Sequence, residues 1–259
     1  MLIAKRHELL LSTLSNGGQS VKELADNLDV SESTVRRDLA ELEKQGLLER
    51  RYGGAMLTRG SRSRTTDSGR VETPLTQYYE MPDYDLRVRI AKQAAAMVRE
   101  GSVIILDIGS TTPLIARELR GKSVTIVTSN LAVLDEVRND DTVEVVLVGG
   151  VLRRNQQSLV GPIAEQAVAQ ISADIMFLSC TGVRGESVVD NMAVETPIKQ
   201  ALIGAAQTVV LLASEAKFPG TGGLQLCPLD AVDTIITTRG TPESMINNCR
   251  KSGRKVVTA

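Results

Sequence analysis

The chain has 259 residues, a length that suits one small domain and one of ordinary size. Hydrophobic residues make up 42% of it and charged residues 24%, the balance of a globular protein. With no Trp, two Phe and four Tyr, the composition argues against nucleic-acid binding by the stacking of bases on aromatic rings. The chain opens without a signal-peptide core, and no apolar run approaches the roughly 20 residues that span a bilayer.

The three cysteines, Cys180, Cys227 and Cys249, form no CxxC pair and match no metal-ligand spacing. We therefore expect a reduced, cytoplasmic protein with no membrane association, no metal and no cofactor.

The net charge of −1 conceals an uneven distribution. Up to Arg64 there are 11 Lys and Arg against 9 Asp and Glu, and beyond it 19 against 22. Residues 50–70 hold six arginines and one acidic residue, Asp67. This local excess suits a phosphate backbone, and it equally suits a solvated flexible arm.

The N-terminal pattern predicts three short helices. Residues 2–14 read as an amphipathic helix, and the only histidine, His7, is expected on its surface. Ser20 and Glu23 form a capping box that opens the second helix, and Ser31 is a good N-cap for the third. The buried stripe of the third helix is predicted from an i, i+4, i+7 repeat of Val35, Leu39 and Leu42.

Burial of that stripe turns short hydroxyls and arginines outward, as a helix in the major groove requires. Arginine can bridge guanine O6 and N7 with two hydrogen bonds, and Ser or Thr can contact phosphates or base edges. Residues 47–56 read as two strands around Gly53 and Gly54, which predicts a β-wing. A three-helix bundle without a DNA role is the alternative. The predicted DNA-contacting residues are Ser31, Ser33, Thr34, Arg36, Arg37, Arg50, Arg51 and Tyr52.

The stretch 58–69 has no periodicity and predicts a flexible connector. The predicted organisation is a winged helix-turn-helix domain over residues 1–57, a linker over 58–83 and an α/β domain over 84–259. A hinge of this length would let two DNA-binding heads of an oligomer reach separate half-sites.

In the C-terminal part, apolar β-branched runs alternate with helical patterns. Strands are predicted at 102–107, 124–129, 143–148, 175–180, 208–213, 233–238 and 255–258. Helices are predicted at 87–99, 113–119, 131–139, 163–171, 196–206 and 242–252. Continuous Val, Ile and Leu strands alternating with helices indicate an α/β fold with a mostly parallel sheet covered on both faces.

In such folds ligands bind beyond the carboxyl ends of the strands, and there the sequence places polar, glycine-rich segments. The first strand ends in Asp107, after which Gly109, Ser110, Thr111 and Thr112 lead into a helix whose free amides attract anions. There is no GxxxxGK[ST] P-loop. The other predicted ligand-contacting residues are Ser129, Asn130, Gly149, Gly150, Arg153, Gly182, Glu195, Lys199 and Lys217.

Each of these signals has a purely structural explanation. The Gly-Ser-Thr-Thr loop can be helix capping, Glu195 and Lys199 can be a surface i, i+4 pair, and Gly149-Gly150 can be a turn. Taken together, a hydroxyl-lined anion cradle with one or two lysines suits a phosphorylated polyol or sugar.

Motifs along nearly the whole chain resemble those of the DeoR family of bacterial transcription regulators. In the first part these are residues 30–39 (Val-Ser-x-Ser-Thr-Val-Arg-Arg-Asp-Leu), Gly46-Leu47 and 52–55 (Tyr-Gly-Gly-Ala). In the second they are 107–112, Ser129-Asn130, Gly149-Gly150-x-Leu152-Arg153, Gly161, Glu195-x-x-x-Lys199 and Lys217-Phe218. The resemblance implies a sensor domain similar to sugar-phosphate isomerases.

The resemblance also implies a phosphorylated sugar effector. By this resemblance Ser110, Thr111 and Thr112 would hold the phosphate. The sugar would be faced by Asp107, Asn130, Glu195, Lys199 and Lys217. The sequence departs from the family at Ser214, where an Asp usually stands three residues before the Lys-Phe pair, so the effector's identity is left open.

We therefore expect a repressor of a carbohydrate-utilisation operon, a homodimer or homotetramer that binds double-stranded operator DNA and is controlled by a phosphorylated sugar. Two alternatives remain from the residues alone. The chain could be an isomerase with a DNA-binding appendage, using Glu195 or Asp190 as a base near Lys199. Its α/β domain could instead serve only for oligomerisation.

Overall fold

The structure, a computed structural model, describes residues 6–7, 9–10, 13–14, 19–28, 30–44, 48–51, 54–57, 81 and 83–259. Two units, Met1–Glu72 and Thr73–Ala259, make most of their contacts internally. The sequence-predicted boundaries at 57, 58, 83 and 84 stay predictions, since residues 58–80 and 82 lie outside the described residues.

The N-terminal unit contains a helix-turn-helix and an antiparallel wing. Its elements are β1 (Gln19–Ser20), α1 (Val21–Leu28), α2 (Glu32–Lys44), β2 (Leu48–Arg51) and β3 (Gly54–Leu57), and the strands lie in the order β1-β3-β2. Helical backbone is also present at Arg6, His7, Leu9, Leu10, Thr13 and Leu14, in agreement with the helix predicted for 2–14.

Local hydrogen bonds explain where the two helices begin. The Glu23 carboxylate accepts from the Ser20 amide at 2.8 Å and the Ser20 hydroxyl accepts from the Glu23 amide at 3.2 Å, which confirms the capping box. The Ser31 hydroxyl accepts from the Thr34 amide at 3.2 Å and so caps α2. The predicted stripe is buried: it packs with Leu10, Leu14, Leu24 and Leu48 in one core.

The C-terminal unit is built on a seven-stranded parallel sheet. Its strands are β4 (Val103–Leu106), β5 (Val124–Thr128), β6 (Val143–Leu147), β9 (Ala173–Ser179), β12 (Ala206–Leu212), β14 (Thr234–Thr237) and β15 (Lys255–Thr258). They lie in the order β15-β14-β12-β9-β4-β5-β6, and every neighbouring pair is parallel. All seven predicted strands are confirmed to within about two residues at each end, the usual uncertainty of such boundaries.

Helices cover both faces of this sheet, as predicted. They are α3 (Tyr84–Ala95), α4 (Thr112–Glu118), α5 (Leu131–Val137), α6 (Pro162–Val168), α7 (Thr196–Gly204) and α8 (Glu243–Lys251). One core lies under α3, α4 and α5, and a second lies under α6, α7 and α8. No helix in the described part of the chain is long and apolar enough to cross a membrane.

The strand order reverses between β4 and β9. The chain runs outward from β4 through β5 to β6, returns to β9 on the other side of β4, and then continues outward to β15. Such a reversal opens a crevice at the carboxyl ends of the two central strands, where α/β proteins bind their ligands.

In the C-terminal unit, five short antiparallel strands were not predicted. They are the hairpin β7 (Val151–Arg153) with β8 (Ser158–Val160), and a small sheet of β10 (Gly182–Arg184), β11 (Ser187–Asp190) and β13 (Leu224–Pro228). With three to five residues each, they are too short to show a hydrophobic period. Both additions lie beside the crevice and contribute residues to it.

Candidate functional site

A cavity of about 240 Å³ opens at the reversal point of the sheet. Its walls come from the start of α3, the loops that follow β4, β9 and β12, and the segment from β11 to α7. Six of the predicted ligand-contacting residues line it: Gly109, Ser110, Thr111, Glu195, Lys199 and Lys217.

Lys199 is buried at the base of the cavity, with 2% of its surface exposed. Its Nζ donates to Asp190 Oδ2 at 2.8 Å and to the Ser179 carbonyl at 3.1 Å, and lies 3.1 Å from Asp107 Oδ2. Three acceptors therefore match the three protons of the ammonium group. Although burial opposes the charge, the two carboxylates and nearby Glu195 raise the pKa of Lys199 above its ordinary value, so the group stays protonated.

The two carboxylates that share Lys199 differ in environment. Burial raises the pKa of Asp107, which is fully enclosed, in spite of the nearby ammonium group. At Asp190 burial acts in the same direction, but the ion pair and hydrogen bond with Lys199 prevail and its pKa is lowered. Asp107 also accepts from the Ser179 amide at 2.9 Å, so it joins the ends of β4 and β9.

Glu195 lies at the N-terminal end of α7 and is 3% exposed. The hairpin β7–β8 holds it: Arg153 pairs with its carboxylate, and the Ser158 hydroxyl donates to Oε1 at 3.1 Å. Burial raises the pKa of Glu195. The interpretation of Glu195 and Lys199 as a surface pair is therefore wrong, because both are buried and each forms its ion pair with another residue.

The loop after β4 presents two hydroxyls to the cavity and uses a third internally. Ser110 and Thr111 line the cavity, and Thr111, the N-cap of α4, makes no side-chain capping bond. The Thr112 hydroxyl instead donates to the Asp107 carbonyl at 2.7 Å, inside the protein. Asn130 braces the same loop by donating from Nδ2 to the Gly109 carbonyl at 3.1 Å.

Gly109 is required by close packing. A Cβ at this position would stand 2.2 Å from Ser179 Oγ and 2.7 Å from Ser179 Cβ, closer than real atoms approach. The glycine therefore lets the loops after β4 and β9 meet at the cavity.

Eight of the predicted ligand-contacting residues lie outside the cavity lining: Asp107, Thr112, Ser129, Asn130, Gly149, Gly150, Arg153 and Gly182. Several support it from behind, as described for Asp107, Thr112, Asn130 and Arg153. At Gly182 a Cβ would stand 2.5 Å from the Pro219 carbonyl oxygen, and at Gly150, with φ +147°, it would stand 2.6 Å from that of Val160. These two glycines serve close backbone contacts.

Lys217 and Ser214 line the side of the cavity that follows β12. The neighbouring carboxylate does not replace the missing Asp, because Glu215 accepts from the Thr238 hydroxyl at 2.6 Å and from the Gly240 amide at 3.0 Å, away from the cavity. In the described residues Arg87 and Lys199 are ion-paired, whereas no ion pair is found for Lys217.

The sequence does not predict that the start of α3 and the hairpin β7–β8 contribute to the cavity. Met81, Asp83, Arg87 and Gln156 all line the cavity. None of them directly follows a predicted strand of the sheet, and the ligand site is predicted from residues in that position. Asp190 was considered only as a base, and its role as the partner of Lys199 depends on the unpredicted sheet of β10, β11 and β13.

On the N-terminal unit, the exposed face of α2 carries Ser33, Arg36 and Arg37, and Thr34 is half-buried. Arg36 pairs with Glu32 one turn earlier at 2.8 Å. The hydroxyls of Ser33 and Thr34 lie 2.9 and 2.8 Å from that of Ser31, so the start of the helix presents a cluster of hydroxyls. Arg50 and Arg51 lie on β2, while their side chains and all of Tyr52 lie outside the described residues.

The opposite face of α2 has a buried charge that the sequence pattern does not predict. Asp38, 5% exposed, accepts from Arg6 Nη2 at 3.1 Å and lies 3.3 Å from His7 Nε2. Burial opposes ionisation, but the hydrogen bonds and the positive charge of Arg6 prevail and lower the pKa of Asp38. The surface position expected for His7 is wrong: only 17% of its side chain is exposed, because it packs towards Asp38.

Two family models match this chain, one for each unit. Residues 6–59 match the DeoR-like helix-turn-helix domain, and residues 83–239 match the DeoR C terminal sensor domain. Among solved structures, ribose 5-phosphate isomerase A from Methanocaldococcus jannaschii aligns with 52% of this chain and 55% of its own, at 20% identity and a TM-score of 0.39.

Three similar proteins are named as regulators. The HTH-type transcriptional regulator GlpR of Haloferax volcanii is 33% identical over 92% of this chain and 90% of its own. The L-fucose operon activator of Haemophilus influenzae is 28% identical over 95% of this chain and 96% of its own. The putative aga operon transcriptional repressor of Escherichia coli O157:H7 is 29% identical over 98% of this chain and 92% of its own. These names are those of regulators and not of enzymes, which favours a regulator over the isomerase alternative. The chain belongs to the DeoR family of helix-turn-helix transcriptional regulators.

Proposed function

We propose that this regulator represses a carbohydrate-utilisation operon, and that a phosphorylated sugar bound in the cavity changes its affinity for the operator. The names of two relatives, an L-fucose operon activator and a putative aga operon repressor, support control of an operon. One name indicates activation and the other repression. Repression is the direction we propose for this chain.

The observation that carries the effector proposal is the combination of Lys217 with the hydroxyls of Ser110 and Thr111 in one cavity. A lysine without a carboxylate partner in the described residues can neutralise an incoming anion without first breaking an ion pair. Hydroxyl groups add hydrogen-bond donors suited to phosphate oxygens.

The rest of the cavity suits the hydroxyl groups of a sugar. Asp190 and Glu195 present carboxylate oxygens that accept hydrogen bonds, and Ser179 adds a hydroxyl. We propose that these groups fix the orientation of the sugar and that Asp107, Asn130 and Arg153 hold them in place from behind.

For operator binding we propose that α2 lies in the major groove of double-stranded DNA and that the wing contacts the backbone. Arg37 is the best candidate for base contact because it is exposed and has no ion pair in the described residues, whereas Arg36 is paired with Glu32. Ser31, Ser33, Thr34, Arg50, Arg51 and Tyr52 complete the proposed DNA surface. Helix-turn-helix proteins read repeated half-sites as oligomers, so we propose a homodimer or homotetramer.

A panel of pentose and hexose phosphates, read by thermal shift, tests the effector proposal. A ligand at a hundred times its Kd stabilises a protein by about 2.7 kcal/mol, which a shift in Tm reveals. The matched pair of variants is Lys217→Gln, in the cavity, and Lys251→Gln, exposed at the end of α8. The proposal predicts a shift for the wild type and for Lys251→Gln, and a reduced one for Lys217→Gln. If no panel member shifts Tm, the sensor domain serves oligomerisation alone and the effector proposal is wrong.

A further inference from the structure

The start of α3 brings a second cation to the cavity. Met81, Asp83 and Arg87 all line it. The Arg87 guanidinium is 11% exposed, pairs with the Asp83 carboxylate and lies against the sulfur of Met81, with Nη1 at 2.7 Å from Sδ. One arginine therefore holds the two described residues that precede the helix.

Asp83 occupies the N-cap of α3 without using its side chain as a cap. Aspartate is among the preferred N-cap residues because its carboxylate accepts from a free amide of the first turn. Asp83 makes no such bond, and its φ of −99° and ψ of 22° lie outside the extended region usual for an N-cap. Its carboxylate is directed at Arg87 one turn later. The Asp83 carboxylate can therefore either pair with Arg87 or cap α3.

The loop after β4 and the start of α3 are fixed against each other. Arg117 of α4 donates from Nη1 to the Tyr84 hydroxyl at 3.2 Å, and Ile90 shares a core with Leu114 and Ile115. An anion beside Ser110 and Thr111 therefore occupies the same small cavity as the Arg87 guanidinium. A guanidinium group binds phosphate through two parallel hydrogen bonds. A phosphate group in the cavity can therefore compete with the Asp83 carboxylate for Arg87.

We propose that Arg87 binds the anionic group of the cavity ligand, and that this releases the Asp83 carboxylate to cap α3. The proposal rests on the proposed function, since it requires an anionic ligand in the cavity. The two arrangements, Arg87 on Asp83 and Arg87 on the ligand, form an element with two states that a ligand can bias.

The consequence for regulation follows from chain order. Asp83 and Met81 come directly before α3 and after the segment that leads from the DNA-binding unit. Capping requires Asp83 to move towards an extended backbone conformation, which redirects the chain at the entry of α3. Ligand binding is thereby linked, through Arg87, to the backbone conformation of Asp83 at the entry of α3.

The test uses inorganic phosphate as the probe, measured by calorimetric titration of the full chain. Asp83→Asn removes the competing charge while keeping a good N-cap residue, and the proposal predicts at least fivefold tighter phosphate binding. Asp85→Asn, exposed on the same turn, is the matched control and leaves the affinity unchanged. Arg87→Gln weakens phosphate binding at least tenfold, whereas Arg89→Gln, exposed two residues later, does not.

Hydrogen exchange supplies a readout that a purely structural role of Arg87 would not move. In the wild type, phosphate should slow exchange of the Asp85 and Leu86 amides, the second and third of α3, as the Asp83 carboxylate caps them. Equal phosphate affinity of Asp83→Asn and wild type, or binding without added protection at these amides, overturns the inference and leaves the proposed function standing. A wild-type chain that binds neither phosphate nor any sugar phosphate overturns both.

Discussion

At Lys199 one ammonium group meets two carboxylates and a carbonyl oxygen in the interior of the sensor domain. Removing such charges from water is costly, and the cost is offset only when every proton finds an acceptor. The arrangement joins the ends of β4 and β9, through Asp107 and Ser179, to α7. The cluster therefore fixes the floor of the cavity.

Replacing Lys199 by methionine should destabilise the chain by about 3–5 kcal/mol, because two buried carboxylates would lose their counter-charge. Urea denaturation of the purified variant measures this loss. Lys92→Met, exposed on α3, is the matched control and should change stability by no more than about 0.5 kcal/mol. A loss below about 1 kcal/mol for Lys199→Met would show that the ion cluster does not organise the domain.

Cys180 lines the cavity but should be chemically inert. Burial raises the pKa of its thiol from 9.0 to about 12, although Lys217 and Lys199 act in the opposite direction. Three pKa units correspond to about a thousandfold less thiolate near pH 8, and the thiolate is the reactive form. Mass spectrometry should find Cys180 unlabelled by iodoacetamide at pH 8 in the native chain and labelled in urea. Labelling of the native chain at the unfolded rate would contradict the assigned environment.

At the scale of elements, the loop after β4 depends on one contact. Gly109 is glycine because Ser179 leaves no room for a Cβ, and this contact brings the hydroxyls of Ser110 and Thr111 into the cavity. The loop is thus shaped from the neighbouring strand as well as from its own sequence.

Gly109→Ala should cost about 1–3 kcal/mol of stability, as overpacking typically does, and should weaken ligand binding because the loop must shift. Gly149→Ala is the control, since a Cβ there meets nothing within 4 Å. Adding Ser179→Gly removes the opposing atoms and should restore part of the loss. Thermal denaturation of the wild type, the two single variants and the double variant measures these stabilities. A double variant no more stable than Gly109→Ala would mean that the contact with Ser179 does not cause the loss of stability.

Elements with a strong period could be predicted from the sequence, and short ones could not. The five inner parallel strands are largely buried on both faces and read as continuous β-branched runs. Helix α2 shows its stripe of Val35, Leu39 and Leu42. β7, β8, β10, β11 and β13 have no such signal because tertiary contacts stabilise them. The positions of these strands, and with them the contact of Asp190 on β11 with Lys199, are known only from the folded chain.

At the scale of the whole molecule, topology explains which part of the site could be found from sequence. The rule that ligands lie at the carboxyl ends of parallel strands placed Gly109, Ser110, Thr111 and Lys217 at the cavity. The same rule could not separate residues that line it from those that brace it, such as Thr112 and Asn130, since all follow strands. Nor could it find Arg87, which reaches the cavity from a helix.

DNA binding should depend on the exposed face of α2. Arg37→Ala should weaken binding to the chain's operator by roughly 1–3 kcal/mol and relax base preference at one position, whereas loss of a phosphate contact lowers affinity evenly. Fluorescence anisotropy with operator and mutated operator DNA distinguishes the two. Glu41→Ala, on an exposed position further along α2, serves as the comparison. An Arg37→Ala protein with wild-type affinity and preference would place the DNA contacts elsewhere.

We propose that an anionic sugar in the cavity controls DNA binding. Its most direct measurement is operator affinity, by fluorescence anisotropy, with and without the sugar phosphate that raises Tm, for wild type, Lys217→Gln and Lys251→Gln. Coupling between two sites of a regulator is typically about 5–150-fold. We predict that the ligand weakens operator binding of the wild type and of Lys251→Gln by at least fivefold, and that Lys217→Gln loses this response while still binding DNA. Operator affinity that is the same with and without the ligand, or a Lys217→Gln protein that responds as the wild type does, would contradict control of DNA binding from the cavity.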